Sequence, residues 1–249
     1  MDKVIGVGEI ALSDHRSSQI TQSEFDKLAA DARVGGMLSG KAGILNIHLG
    51  DGERMLELIL NTIENTEIPI TQFLPTHINR NRALFEEGIR YAKKGGYIDF
   101  TASNDPAFWE EEYGEVRTSK GIKRLLEENV SIDRLTISSD AQGSLPLFDE
   151  KKEFTGLGVG KPDCLLKEIQ NCVLEQKIPL EIAIRTITIN PARILKLQAK
   201  GRIERGYDAD LCLLEENTLQ LNTVICKGKT MVSDRVPIVF GAFEVPKKA

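Results

Sequence analysis

Residues 44–65 read ILNIHLGDGERMLELILNTIEN. The first six are strand-length and mostly apolar, as suits a strand buried in a parallel sheet. Gly50-Asp51-Gly52 punctuates the chain as a turn. Residues 53–65 then place Met55, Leu56, Leu58, Ile59, Leu60 and Ile63 along one strongly apolar helix. This is one β-α unit, with His48 where the strand gives way to the loop.

The same alternation extends in both directions. Strand-like runs at 4–7, 70–74, 97–101 and 134–138 alternate with helix-like runs at 23–37, 81–94, 119–129, 162–175 and 180–187. A polar loop is expected between 101 and 119, and another loop after 138. Five strands with their helices predict a parallel sheet covered by helices. After Ala199 the texture changes. The β-rich runs 209–214, 219–226 and 230–232, broken by Gly-Tyr-Asp and Lys-Gly-Lys, predict a small antiparallel appendage. The expected division is therefore 1–199 for the β/α part and 200–249 for the appendage.

Composition narrows the functional classes. The chain has 249 residues, a net charge of −5 and 41% hydrophobic residues, ordinary values for a globular protein. Lys and Arg are interspersed with Asp and Glu, so no basic field for nucleic acid is expected. The apolar runs are strand-sized and no basic-then-apolar leader opens the chain, so no membrane association and a cytoplasmic location are expected. Cys164, Cys172, Cys212 and Cys226 form no C-x-x-C pair and are expected to be buried free thiols.

In parallel α/β folds functional groups gather at the carboxyl ends of strands. Those ends here offer Glu9, His48, His77, the neighbourhood of Asp99 to Ser103, and Asp140. The three histidines of the chain all follow strands, in SDHR, NIHLGDG and PTHINRN. One such histidine is more often a structural hydrogen-bonding residue than a ligand. His48 and His77, however, follow adjacent strands and point into one crevice, where imidazoles with carboxylates suit Zn²⁺ or a similar ion. Asp140 is placed to take a proton from a metal-bound water. Its alternative is a cap within the turn SSDAQGS. Arg16 and Arg80 lie just beyond ligand strands, where guanidinium groups can clamp a carboxylate, though each also reads as a surface charge.

Together EIALSDHRSS, HLGDG, LPTHINRN, SSDAQGSLP and GRIERGYDADL resemble the isoaspartyl dipeptidases (β-aspartyl peptidases) of the amidohydrolase superfamily. The resemblance covers nearly the whole chain, its most specific segments being SDHR and THINRN. It implies a (β/α)8 TIM-type barrel, here about five C-terminal βα units, plus part of a small β-domain. It implies a binuclear metallo-dipeptidase, with Zn²⁺ as the metal, that hydrolyses β-aspartyl dipeptides by a metal-bound hydroxide. His48 and His77 match ligands of one metal, and Asp140 matches the ligand of the other that serves as general base and acid. Arg16 and Arg80 match arginines gripping substrate carboxylates, and Ser144 matches a serine holding the substrate. The resemblance also implies a homo-oligomer for the complete enzyme.

Two departures stand out. Many members bridge their metals with a carboxylated lysine, whereas the matching position here is Glu9, whose two oxygens can bridge instead. The family's first strand carries H-x-H, which occurs nowhere in this sequence. The chain by itself is therefore expected to hold one metal through Glu9, His48 and His77 and to be weakly active or inactive. The competing readings are another amidohydrolase, of cyclic-amidase or deaminase type, and a non-catalytic barrel remnant binding a partner chain through open edge strands.

Overall fold

The computed structural model describes residues 3–149 and 153–242. It divides into two compact units, 1–196 and 197–249.

The first unit is built from five parallel strands in two groups. Strands β1 (Gly6–Leu12), β2 (Ile44–Leu49) and β3 (Phe73–Thr76) form one sheet, with β2 central. Strands β4 (Ile98–Thr101) and β5 (Leu135–Ser138) form the other. Between β3 and β4 the Ile78 amide donates to the Asp99 carbonyl at 3.2 Å. The helices follow the strands: α1 (Gln22–Ser39), α2 (Glu57–Asn65), α3 (Arg82–Lys93), α4 (Pro106–Tyr113), α5 (Thr118–Glu127), α6 (Cys164–Leu174), α7 (Leu180–Ala183) and α8 (Ile189–Ile194).

Local chemistry sets the helix ends. Thr21 and Glu24 form a reciprocal capping box at the start of α1, and Gly40 closes that helix in the left-handed conformation. Asn81 caps α3 by accepting from the Leu84 amide at 2.9 Å. The two faces of the strands then differ in kind. Leu45, Ile47, Phe73, Ile98, Phe100 and Leu135 are fully buried in one apolar core with residues of the helices. Phe25 of α1 stacks on Phe73 at 5.6 Å between ring centres, and Phe85 of α3 lies 5.6 Å from Phe100. The opposite faces carry Asn46, His48, Thr76, Asp99, Thr136 and Ser138, which line a hollow of about 260 Å³. Period-2 alternation thus separates packing from polar function.

Several sequence expectations are corrected. The first strand is not confined to 4–7. It continues to Leu12, with a register shift between Val7 and Ile10, so Glu9 lies inside β1 at an irregularity rather than past its end. The third strand begins later than expected, because Pro69 starts a 3-10 turn over Ile70–Gln72. The expected polar loop after β4 contains α4, started by the Asp105 cap and Pro106 and stopped by Gly114. The expected loop after β5 holds a hairpin of β6 (Ser144–Phe148) and β7 (Phe154–Val159). The helix expected at 180–187 breaks into α7 and a 3-10 turn, with α8 following in TINPARIL.

The second unit is one antiparallel sheet of β8 (Leu211–Leu214), β9 (Leu221–Cys226), β10 (Lys229–Ser233) and β11 (Val236–Pro237), in the order β11-β10-β9-β8. Lys200 ties its entry, pairing with Asp208 and Asp210. All four cysteines are free. Cys164 and Cys172 are buried as expected, but Cys212 and Cys226 are exposed, since they sit on a thin sheet that leaves these positions uncovered. Among the described residues no helix is long and apolar enough to cross a membrane.

Candidate active site

The carboxyl ends of β1 to β5 open into a cavity of about 640 Å³, within the size range of small-molecule sites. Beyond β1 and β2 the loops meet without clearance. A Cβ on Gly50 would lie 2.4 Å from the Ser13 carbonyl oxygen, so only glycine lets the two loops pack directly beyond Glu9 and His48.

Four of the seven expected site residues, Glu9, His48, His77 and Asp140, converge. His48 leaves the inward face of β2, and its Nδ1 lies 2.9 Å from Glu9 Oε1. His77, just beyond β3, adopts a left-handed backbone (φ 63°) that turns its ring inward. Its Nε2 faces His48 Nδ1 at 3.1 Å, and its Nδ1 meets Thr101 Oγ1 at 2.6 Å. Ligand atoms of His48, His77 and Asp140 all lie within 4.8 Å of one another. Burial, then the charges of Arg80 and His48, lower the His77 pKa to about 3, so this imidazole is neutral at physiological pH.

Asp140 also has a left-handed backbone (φ 48°) and begins a turn closed by the Gly143 amide on its carbonyl at 3.1 Å. The side-chain cap of that turn comes from Ser139, whose Oγ accepts from the Ala141 amide at 3.3 Å. Asp140 is thereby exposed and faces the cavity. The turn that the capping alternative anticipated is present, with a different residue as its cap.

The two arginines differ. Arg16 is largely exposed and grips Asp14 through both Nε (3.0 Å) and Nη2 (2.7 Å), which holds the Asp14 carboxyl well below the usual carboxylate range. Arg80 lines the cavity, and among the described residues its buried Nε has no hydrogen-bond partner. Strand β6 begins at Ser144, but the Ser144 side chain lies outside the described residues. His15 is mostly exposed beside Asp14, 3.8 Å away, and takes no part in the histidine cluster.

The structure adds groups that the sequence did not single out. Asn79 is fully buried and ties the β3 loop to the chain beyond α4. Its Nδ2 donates to the Thr101 and Val116 carbonyls and to Glu115 Oε1 at 3.1 Å, and its Oδ1 accepts from the Thr101 amide at 2.8 Å. Burial pushes the Glu115 carboxyl up to about 7, against the pull of Arg80 and with help from Glu168. PTHINRN contains Asn79, but its partners lie some twenty to forty residues away, so spacing gives no sign of them. Trp109 and Tyr113 of α4 also line the cavity. They were missed because their segment reads as a loop.

The donor set suits a divalent cation. Two imidazole nitrogens turned toward each other, one on a neutral ring, stand beside two carboxylates within hydrogen-bonding range of this cluster or at its edge.

Comparisons with known proteins bear on the fold and the family. The pattern of the Amidohydrolase family matches residues 6–231. The β-aspartyl dipeptidase of Fervidobacterium islandicum AW-1, solved in complex with β-Asp-Leu dipeptide, is 46% identical with a TM-score of 0.86, covering 98% of this chain and 61% of that one. Dihydroorotase of Methanosphaera stadtmanae is 27% identical over 165 residues, which are 61% of this chain and 38% of that protein. Atrazine chlorohydrolase of Arthrobacter aurescens TC1, complexed with zinc, shares the fold at 12% identity, with a TM-score of 0.51 and coverage of 89% and 49%. The chain thus spans less than two thirds of each relative's length.

Proposed function

Because this chain belongs to the amidohydrolase family, we propose that its cavity is a metal-dependent hydrolytic site for β-aspartyl dipeptides, cleaving the peptide bond made through an aspartate side-chain carboxyl. The observation that carries the reading is the convergence of His48, His77 and Asp140 within 4.8 Å in a cavity that also exposes Arg80. The 46% identity to a β-aspartyl dipeptidase supports the choice of substrate.

Glu9, His48, His77 and Asp140 are the residues that would hold Zn²⁺, Glu9 as a carboxylate beside His48 Nδ1. Zinc held there supplies a lowered pKa for coordinated water and polarisation of the scissile carbonyl. The neutral state of His77 keeps its lone pair available, and the Thr101 hydroxyl at its Nδ1 fixes the ring. The Asp140 carboxylate accepts the proton of the attacking water on one oxygen and returns it to the leaving amine.

Arg80 binds a substrate carboxylate directly, since its Nε already lacks a partner in a buried position. Arg16 is a weaker clamp. It is paired with Asp14 and must share its guanidinium to reach the substrate. Ser144 is assigned, from the family resemblance, to help hold the dipeptide.

The test incubates the chain with Zn²⁺ and either β-Asp-Leu or dihydroorotate, measuring Zn²⁺ binding, dipeptide binding and release of aspartate. The expected result is zinc-dependent binding of β-Asp-Leu with at most weak aspartate release, and Asp140→Asn abolishes that release because an amide cannot take the proton. Preference for dihydroorotate, or a β-Asp-Leu that is neither bound nor cleaved, would overturn the reading.

A further inference from the structure

The helix α4 is unusual for its composition and for what it leaves uncovered. Its eight residues, PAFWEEEY, include three aromatics, yet none of the eight is buried. Phe108, Trp109 and Tyr113 pack on one another, with ring centres 4.9 Å apart for Trp109 and Tyr113 and 5.5 Å apart for Phe108 and Trp109. Aromatic side chains normally bury large areas in a core. Here two of the three, Trp109 and Tyr113, instead face the cavity.

The rest of the cavity is differently lined. It is also lined by the cluster of His48, His77 and Asp140 and by Arg16, Arg80 and Asp51. The other apolar side chains lining it are Ala11, Leu49, Ala102 and Cys164, of which the last three are buried. Cys164 Sγ is directed to the Lys161 carbonyl at 3.3 Å. Trp109 and Tyr113 are therefore the large apolar surface against which a ligand's apolar group can lie.

The helix is anchored at both ends. Asp105 caps its start, accepting from the Phe108 amide at 3.2 Å. At its far end the Glu115 amide donates to the Trp109 carbonyl, and Glu115 in turn accepts from Asn79 Nδ2. Asn79 lies two residues after His77 and one before Arg80. The aromatic wall is thus tied to the loop that carries a candidate ligand and a candidate carboxylate clamp. A β-aspartyl dipeptide has one variable group, the side chain of its second residue. With its carboxylates drawn to arginine and its scissile bond at the histidine cluster, that side chain is the part left to meet an apolar wall.

We propose that Trp109 and Tyr113 form the subsite for the second residue's side chain, selecting β-aspartyl dipeptides whose second residue is large and apolar. This rests on the β-aspartyl dipeptidase reading above. Apolar contact with a flat aromatic wall supports roughly tenfold discrimination between a side chain of four carbons and none.

Trp109 is the sole tryptophan of the chain, so its fluorescence reports the subsite without any need for turnover. The full chain with Zn²⁺ is titrated with β-Asp-Leu, β-Asp-Phe and β-Asp-Gly, with affinities measured independently by calorimetry. The expected result is a Trp109 emission change on binding β-Asp-Leu and β-Asp-Phe, and affinities roughly tenfold above that of β-Asp-Gly. In Trp109→Ala, followed by calorimetry alone, the Leu-to-Gly affinity ratio falls toward one, and Trp109→Phe restores it. Dipeptides that bind with no dependence on the second side chain, or with no change in Trp109 emission, overturn the subsite while leaving the dipeptidase reading intact. Failure of all three to bind removes both.

Discussion

Replacing Glu115 by glutamine should flatten the alkaline side of the protein's stability profile. Burial is the main cause that lifts this carboxyl from its ordinary 4.5 to about 7, with Arg80 pulling it down and Glu168 pushing it up. Between those two values the native state holds a proton that the unfolded chain has released. Stability from this group is thus fully present below about 4.5 and is lost as pH rises through 7. At 1.36 kcal/mol per pH unit the full loss is about 3 kcal/mol, a sizeable share of the ~5–15 kcal/mol of a typical domain. The amide side chain of Glu115→Gln keeps an oxygen for Asn79 Nδ2 and carries no charge, so the variant escapes the loss. Glu168, also raised by burial, remains in both proteins and cancels in the difference. The assay is urea unfolding followed by circular dichroism near pH 5 and near pH 8.5. Wild type should lose roughly 2–3 kcal/mol more than Glu115→Gln between those conditions. Parallel stability curves for the two proteins would refute the reasoning, because they would mean that Glu115 is ionised at no cost in the fold.

Arg80→Met should weaken β-Asp-Leu binding about ten- to hundredfold in calorimetry with Zn²⁺ present, since a charged hydrogen-bonded clamp contributes about 1.5–3 kcal/mol. The same change at Arg16 should cost less, because Asp14 already occupies that guanidinium. Thr101→Val keeps the side-chain shape but deletes the 2.6 Å contact to His77 Nδ1. Zn²⁺ affinity should fall roughly ten- to hundredfold, and unchanged affinity would show that packing alone orients His77.

The strands and the main helices were legible because hydrophobic periodicity is a local signal. In β2 both the strand and its inward His48 follow from ILNIHL alone, with Leu45 and Ile47 on the helix side. Three kinds of feature were not legible. Glu9 was read as a strand end because the register shift that extends β1 depends on pairing with β2, which lies some forty residues away. Helix α4 was read as a loop because its apolar residues face a cavity instead of a core, leaving no helical stripe. The partners of Asn79 and Glu115 come from separate loops that only the folded sheet brings together. The candidate ligands were visible from residue type and position. What supports them is long-range and carries no spacing.

Polar groups as well as the shared apolar core join the two parallel sheets. Strands β3 and β4 form no ladder with each other among the described residues. Beside the Ile78–Asp99 backbone bond, their junction is held by the side chain of Asp99, a buried residue of β4. Its Oδ2 accepts from Thr76 of β3 and Ser138 of β5, and its Oδ1 from Thr136, each at 2.5 Å. Burial raises the Asp99 pKa while these three hydroxyls oppose the rise by favouring the charged form. A buried carboxylate short of one donor costs about 1–3 kcal/mol, so all three donors are needed to make the junction tolerable. Thr76 immediately precedes His77, and Ser138 lies two residues before Asp140. The hydrogen bonds that close the seam between the sheets therefore also set the separation of the residues that meet in the cavity. A sheet continuous through β3 and β4 would fix that separation by backbone pairing alone. Here it rests in part on one carboxylate and three hydroxyls, and a change at any of these should reach the histidine cluster before it reaches the apolar core.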